Sequence, residues 1–182
     1  MPATWTISQI NAMDRDAFVA ALGFLFEGSP WVAAETWEKR PFGDVEALHR
    51  ALCTTMRDAG EERQLALLRA HPDLVGRAAL AGTLTRASTG EQAAAGLDPT
   101  RLSETEVRAF AVNNAAYRER FGFPFVICAR ENTKRSILDG VAARLGNSHE
   151  AELATALGEV EKIAWYRLID VVADEGARGD GR

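Results

Sequence analysis

The chain is poor in several things. Its 182 residues include two cysteines, three histidines and two tyrosines, and no apolar run approaches the ~20 residues that a membrane-spanning helix needs. Cys53 and Cys128 are too few for a disulfide framework, and no positively charged stretch followed by an apolar segment opens the chain, so a reducing, cytoplasmic setting is expected. Basic charge is scarce as well. Against 26 Asp and Glu there are 21 Lys and Arg, giving a formal charge of −5 and a pI near 5.3, which argues against nucleic acid as a partner because phosphate binding needs a cationic stripe. A Gly-rich phosphate loop, a nucleophile-elbow serine and a Cys–His pair with a supporting third group are all missing. His49 and Cys53, four apart, can share a helix face, but no third or fourth ligand follows at a recognisable spacing, so no metal site is expected.

Alternating strand patterns are nearly absent, and what fills the sequence is helix punctuation. Asp14 precedes "RDAFVAALGFLFEG", which Gly28 closes, and Asp44 precedes "VEALHRALCTTMRDAG", which ends at Gly60. Ser88-x-x-Glu91 and Ser103-x-x-Glu106 have capping-box spacing, Asn132 or Thr133 can cap "KRSILDGVAARLG", and Ser148 can cap a last helix running to about Ala173. The expected fold is all-α, a single-domain helical bundle of about seven or eight helices over residues 1–175, with a disordered polar tail at 176–182. Two connectors stand out. Residues 76–92 are weakly periodic, and "FGFPFVICAR", residues 121–130, is a hydrophobic, proline-interrupted run whose amides must find side chains, water or a ligand if they are buried.

Three polar positions fall where a core pattern asks for apolar ones, or where a helix ends abruptly. In "LLRAHPDLVGR" an apolar helical run stops at His71-Pro72, since proline pushes the preceding residue out of the helical region, and an imidazole there can face a cleft and titrate near neutrality. Arg167 lies on the last helix's apolar stripe of Leu153, Leu157, Val160, Ile163, Ala164, Leu168 and Val171. A guanidinium buried there must meet a carboxylate, carbonyls or an anionic ligand. Asn114 falls in line with Val107, Phe110, Ala111, Tyr117 and Phe121. Each has a bland reading: a helix-end histidine bonded to a carbonyl, an internal salt bridge, an amide satisfying nearby backbone. Glu91 has one too, the cap of its own helix.

Five ordered blocks carry a resemblance: "GFLFEGSPWVAAETWEKRPF", "LLRAHPDLVGR", "STGEQAAAGLD", "NNAAYRERFGFPFVICAR" and "EVEKIAWYRLIDVV". Together they resemble the family of 2-oxo-4-hydroxy-4-carboxy-5-ureidoimidazoline (OHCU) decarboxylases of urate degradation, from about Ile10 to Val172. The resemblance implies an all-helical homodimer that needs neither metal nor organic cofactor and converts OHCU to (S)-allantoin. It implies His71 and Glu91 as catalytic residues and Arg167 as the arginine that helps hold substrate. Pro72, Ser88, Gln92 and Asn114 are implied as substrate contacts, with the backbone around Phe125, Ile127 and Ala129. Where many relatives read Arg-x-Arg, this chain has Trp165-Tyr166-Arg167, and the helical stripe selects Arg167. The rival readings are a non-catalytic helical module that binds a ureide or purine catabolite and, more remote, a metal-dependent hydrolase using His49, Cys53 and His71.

Overall fold

Helices begin where a side-chain oxygen can take up the amides that a first turn leaves unbonded. In the computed structural model, which describes residues 4–173, Asp14 accepts from the Ala17 amide at 2.8 Å and Asp44 from the Ala47 amide at 2.6 Å. Ser103 and Glu106 close a reciprocal box, Thr133 caps its helix, and Ser148 accepts from Ala151. In chain order the elements are β1 (Trp5–Thr6), α1 (Ile7–Ala12), α2 (Arg15–Leu22), α3 (Trp31–Thr36), α4 (Val45–Arg57), α5 (Glu61–Ala70), α6 (Arg77–Leu80), α7 (Arg86–Ala94), α8 (Glu104–Phe121), α9 (Lys134–Arg144), α10 (His149–Ile169) and β2 (Val172–Ala173). Among the described residues seven of the ten helices have eight residues or more, so the all-α expectation holds. The last helix is shorter than expected, stopping at Ile169. Val172–Ala173 instead pair in parallel with Trp5–Thr6, and the Trp5 amide donates to Val171 O at 2.7 Å. The expected tail, 176–182, lies outside the described residues. Among the described residues no helix is long and apolar enough to cross a membrane.

The chain groups into two compact units, residues up to Gln64 with those from Ala164, and Leu65–Ile163. The core of the first is built from the inward faces of α2 and α4. Phe18, Leu22, Leu48, Leu52 and Met56 are wholly buried there, each contributing roughly 1.5–3 kcal/mol by leaving water. Phe26 and Val32 join them from the intervening turn and α3.

In the second unit α8 turns Phe110, Tyr117 and Phe121 inward, and Gly122, at φ +75°, ends the helix in the left-handed conformation that glycine adopts without strain. The chain then doubles back. Phe123 and Phe125 present edges to the Tyr117 ring at centroid distances of 5.9 and 5.3 Å, so the irregular run that follows α8 is anchored by an aromatic cluster rather than by a strand partner.

Candidate active site

His71 sits one residue beyond α5, buried, with its amide bonded to Leu68 O at 3.1 Å. Its Nδ1 lies 3.0 Å from Leu67 O. A carbonyl only accepts, so Nδ1 carries the proton in this bond, and the neutral ring's other nitrogen, Nε2, is the acceptor. The carbonyl-bonded reading of this histidine is therefore realised at one nitrogen, which fixes the tautomer at the other.

The turn after His71 is clamped from two helices. Asn114 Nδ2 on α8 donates to Leu74 O at 2.9 Å, and Arg118 Nε donates to both Asp73 oxygens, at 2.9 and 3.1 Å. From α7, Gln92 Oε1 accepts the Val75 amide at 3.0 Å. Between these holds Val75 adopts φ +51°, a left-handed conformation rare for a β-branched residue and costing about 1–3 kcal/mol. Gly76 is required by close approach: a Cβ there would stand 2.6 Å from Asp73 Cβ. Pro72, Val75, Gly76, Asn114 and Arg118 border a groove of about 1020 Å³, and Gln92 borders a smaller cavity of about 210 Å³. Neither of these two cavities is lined by His71 or Glu91.

The capping reading of Ser88 and Glu91 is overturned. α7 starts three residues earlier, with Thr85 as its cap accepting the Ser88 amide at 3.2 Å, because Thr85 already supplies the oxygen that Ser88 was expected to provide. Ser88 is buried inside the first turn, where the Thr85 hydroxyl donates to its Oγ at 3.0 Å. Glu91, half-buried on the next turn, is therefore not a capping residue. α7 packs on the short 3-10 turn Ala129–Glu131, at the end of the irregular run. One unit thus gathers the His71 turn, the Ser88–Glu91–Gln92 helix and the segment holding Phe125, Ile127 and Ala129.

Arg167 belongs to the other unit and is 3% exposed. Its Nη2 pairs with Glu27 Oε2 at 3.0 Å, and its Nη1 donates to Phe24 O at 3.2 Å and weakly toward Leu25 O at 3.5 Å. The internal salt bridge is present. Nothing in the sequence pattern singled out Glu27, which lies 140 positions away. Trp165 packs edge-to-face with His49, ring centroids 5.2 Å apart. His49 Nε2 and Cys53 Sγ are 3.3 Å apart, yet among the described residues no three His, Cys, Asp or Glu side chains gather to hold a metal ion.

A second missed group has a readable signal. Glu152 is completely buried and falls on the α10 stripe, at the spacing 152, 156, 160, 163, 167. Its carboxylate accepts from Tyr117 Oη, from Arg144 Nε at 2.8 Å and from Asn147 Nδ2 at 2.7 Å. Burial, followed by the bond to this carboxylate, drives the Tyr117 pKa far above its ordinary value, so the phenol stays a donor. Burial likewise pushes the Cys128 thiol up, away from thiolate chemistry.

The fold and these groups define a small, mostly helical domain with a buried imidazole at a helix end. The chain belongs to the OHCU decarboxylase family, whose model matches residues 11–169. It is 42% identical over 170 residues to the 2-oxo-4-hydroxy-4-carboxy-5-ureidoimidazoline decarboxylase of Haloferax volcanii, covering 93% of this chain and 98% of the relative. To the enzyme of that name from Mus musculus it is 42% identical over 164 residues, 90% of this chain and 91% of the relative. The crystal structure of an (S)-allantoin synthase superposes with a TM-score of 0.71 at 26% identity over 94% of this chain, which spans 54% of that protein's length.

Proposed function

We propose that the chain is a carboxy-lyase that converts OHCU to (S)-allantoin and carbon dioxide in urate degradation. Family membership sets the reaction class, and the observation that carries the chemistry is the buried His71, whose Nδ1–H is tied to Leu67 O. In OHCU a carboxylate and a hydroxyl share one ring carbon. Breaking the carbon–carboxylate bond leaves its electron pair on that carbon, where the adjoining ring system delocalises it, and a proton then adds to one face. The protein has to orient, stabilise and move protons. In this reading His71 Nε2 contacts the hydroxyl and carboxylate region and assists proton movement as carbon dioxide leaves, while Pro72 keeps the ring from turning. Glu91 accepts ureido or ring N–H bonds, with Gln92 and Ser88 beside it. The backbone of Phe125, Ile127 and Ala129 fixes the polar skeleton. Asn114 works from behind, through Leu74 O.

We infer from the family resemblance that Arg167 supplies the guanidinium for the anionic substrate. The Glu27 pair favours the structural role, and Arg167→Lys separates the two: a raised KM with unchanged melting supports substrate binding, lowered melting with unchanged KM the internal pair. Two free, buried cysteines support a cytoplasmic setting, and we infer a homodimer as the working form. Incubation with freshly generated OHCU, followed by the circular dichroism of (S)-allantoin, tests the activity. A rate equal to the spontaneous background, with binding retained, would leave the non-catalytic module in its place.

A further inference from the structure

The amides assigned to substrate belong to a segment without a partner strand, so something else must aim them. We propose that Glu159 and Arg144, backed by Glu152, are positioning residues that turn the polar backbone groups of residues 125, 127 and 129 toward substrate. The inference rests on the decarboxylase reading. Arg144 Nη1 donates to Val126 O at 2.8 Å, and the Cys128 amide donates to Glu159 Oε2 at 2.7 Å. Glu152, which holds Arg144, and Glu159 are seven residues apart and so lie on one face of α10, about 10.5 Å apart along its axis. Val126 and Cys128 are two residues apart, about 6.6 Å in an extended chain. The Cys128 amide bonds α10 directly and the Val126 carbonyl is tied to it through Arg144 of α9, so bonds from alternate residues leave the chain on one side, as in an extended segment, and Cys128 has extended dihedrals, φ −70° and ψ 99°. The N–H and C=O groups of 125 and 127, and the N–H of 129, then point the other way, while the Ala129 carbonyl accepts the Asn132 amide at 3.1 Å as the 3-10 turn begins. The hold is reinforced: the Arg144 guanidinium lies 4.3 Å from the Phe125 ring centroid, and Lys162 bridges Glu159 at 2.7 Å and Glu131 at 3.4 Å.

Neither carboxylate nor guanidinium needs to touch substrate for this role, which separates it from a catalytic one. Glu159→Ala removes the acceptor for the Cys128 amide, whereas Glu159→Gln keeps a carbonyl oxygen there. The expected result for E159A is a KM for OHCU raised between about tenfold and a hundredfold, with faster amide exchange in residues 123–130 and an unchanged far-ultraviolet circular dichroism spectrum. E159Q is expected to restore both KM and exchange to near the parent values. Arg144→Lys keeps a cation for Glu152 but loses the bond to Val126 O, and should reproduce the KM rise even if E159A folds poorly. Parent-like KM in E159A and R144K, or equal damage in E159A and E159Q, overturns the positioning role. Absence of turnover in the parent chain overturns the decarboxylase reading and this role with it.

Discussion

A single hydrogen bond from Nδ1 to Leu67 O fixes the His71 tautomer, with the proton on Nδ1. His71→Asn is expected to lower kcat/KM for OHCU by about 10²–10⁴ with little change in melting temperature, measured by steady-state kinetics beside a thermal scan; near-parental turnover would remove the imidazole from the mechanism. Thr85, the cap of α7, and Glu91, six residues further on, have opposite expectations. Thr85→Ala takes away the cap and should cost roughly 1 kcal/mol of stability with KM little altered, whereas Glu91→Gln should leave melting in place and depress turnover if Glu91 holds substrate as proposed, since the cap oxygen of α7 comes from Thr85. Denaturant titration and kinetics on the same two proteins check both. His71 was legible from its proline and Arg167 from its helical spacing. The partner Glu27 was not, because pairing across 140 positions leaves no local trace.

At the level of elements, caps were the most readable feature: Asp14, Asp44, Ser103 and Ser148 all start helices as their spacing indicates, since the bond that makes a cap spans only three residues. The failure at Ser88 has the same origin. Thr85 offers an equally good oxygen three residues earlier, and the sequence alone does not rank the two. The cap of α8 carries a pH dependence. Glu106 bonds to Lys134, and to the amide and hydroxyl of Ser103, and these contacts hold its pKa at about 2 against an ordinary 4.5. A carboxyl depressed in the folded state contributes fully above the ordinary value and loses that contribution as pH falls from about 4.5 toward 2. Acid titration followed by circular dichroism should therefore show the parent losing stability over that interval relative to Glu106→Gln; parallel curves would refute the assignment. The extended segment at 124–128 was visible as an oddity, but its anchors on α9 and α10 were hidden because both are ordinary helix-surface residue types in sequence.

For the whole molecule, the composition was a good guide to class: an acidic, cysteine-poor, strand-poor chain yields a helical fold whose family is then set by ordered motifs. Light scattering at micromolar concentration is expected to give twice the 19.8 kDa chain mass, and a value equal to one chain would refute the dimer. One further consequence concerns attempts to make a heat-tolerant version. Val75 is an obvious target for exchange to glycine, given its left-handed backbone, yet its side chain is 2% exposed. Relief of about 1–3 kcal/mol of backbone strain is offset by a loss of roughly 1.5–3 kcal/mol of apolar burial, and a looser hinge beside the imidazole would blunt turnover. Engineers seeking robustness should leave residues 71–76 untouched and spend their mutations on the outer faces of the helices.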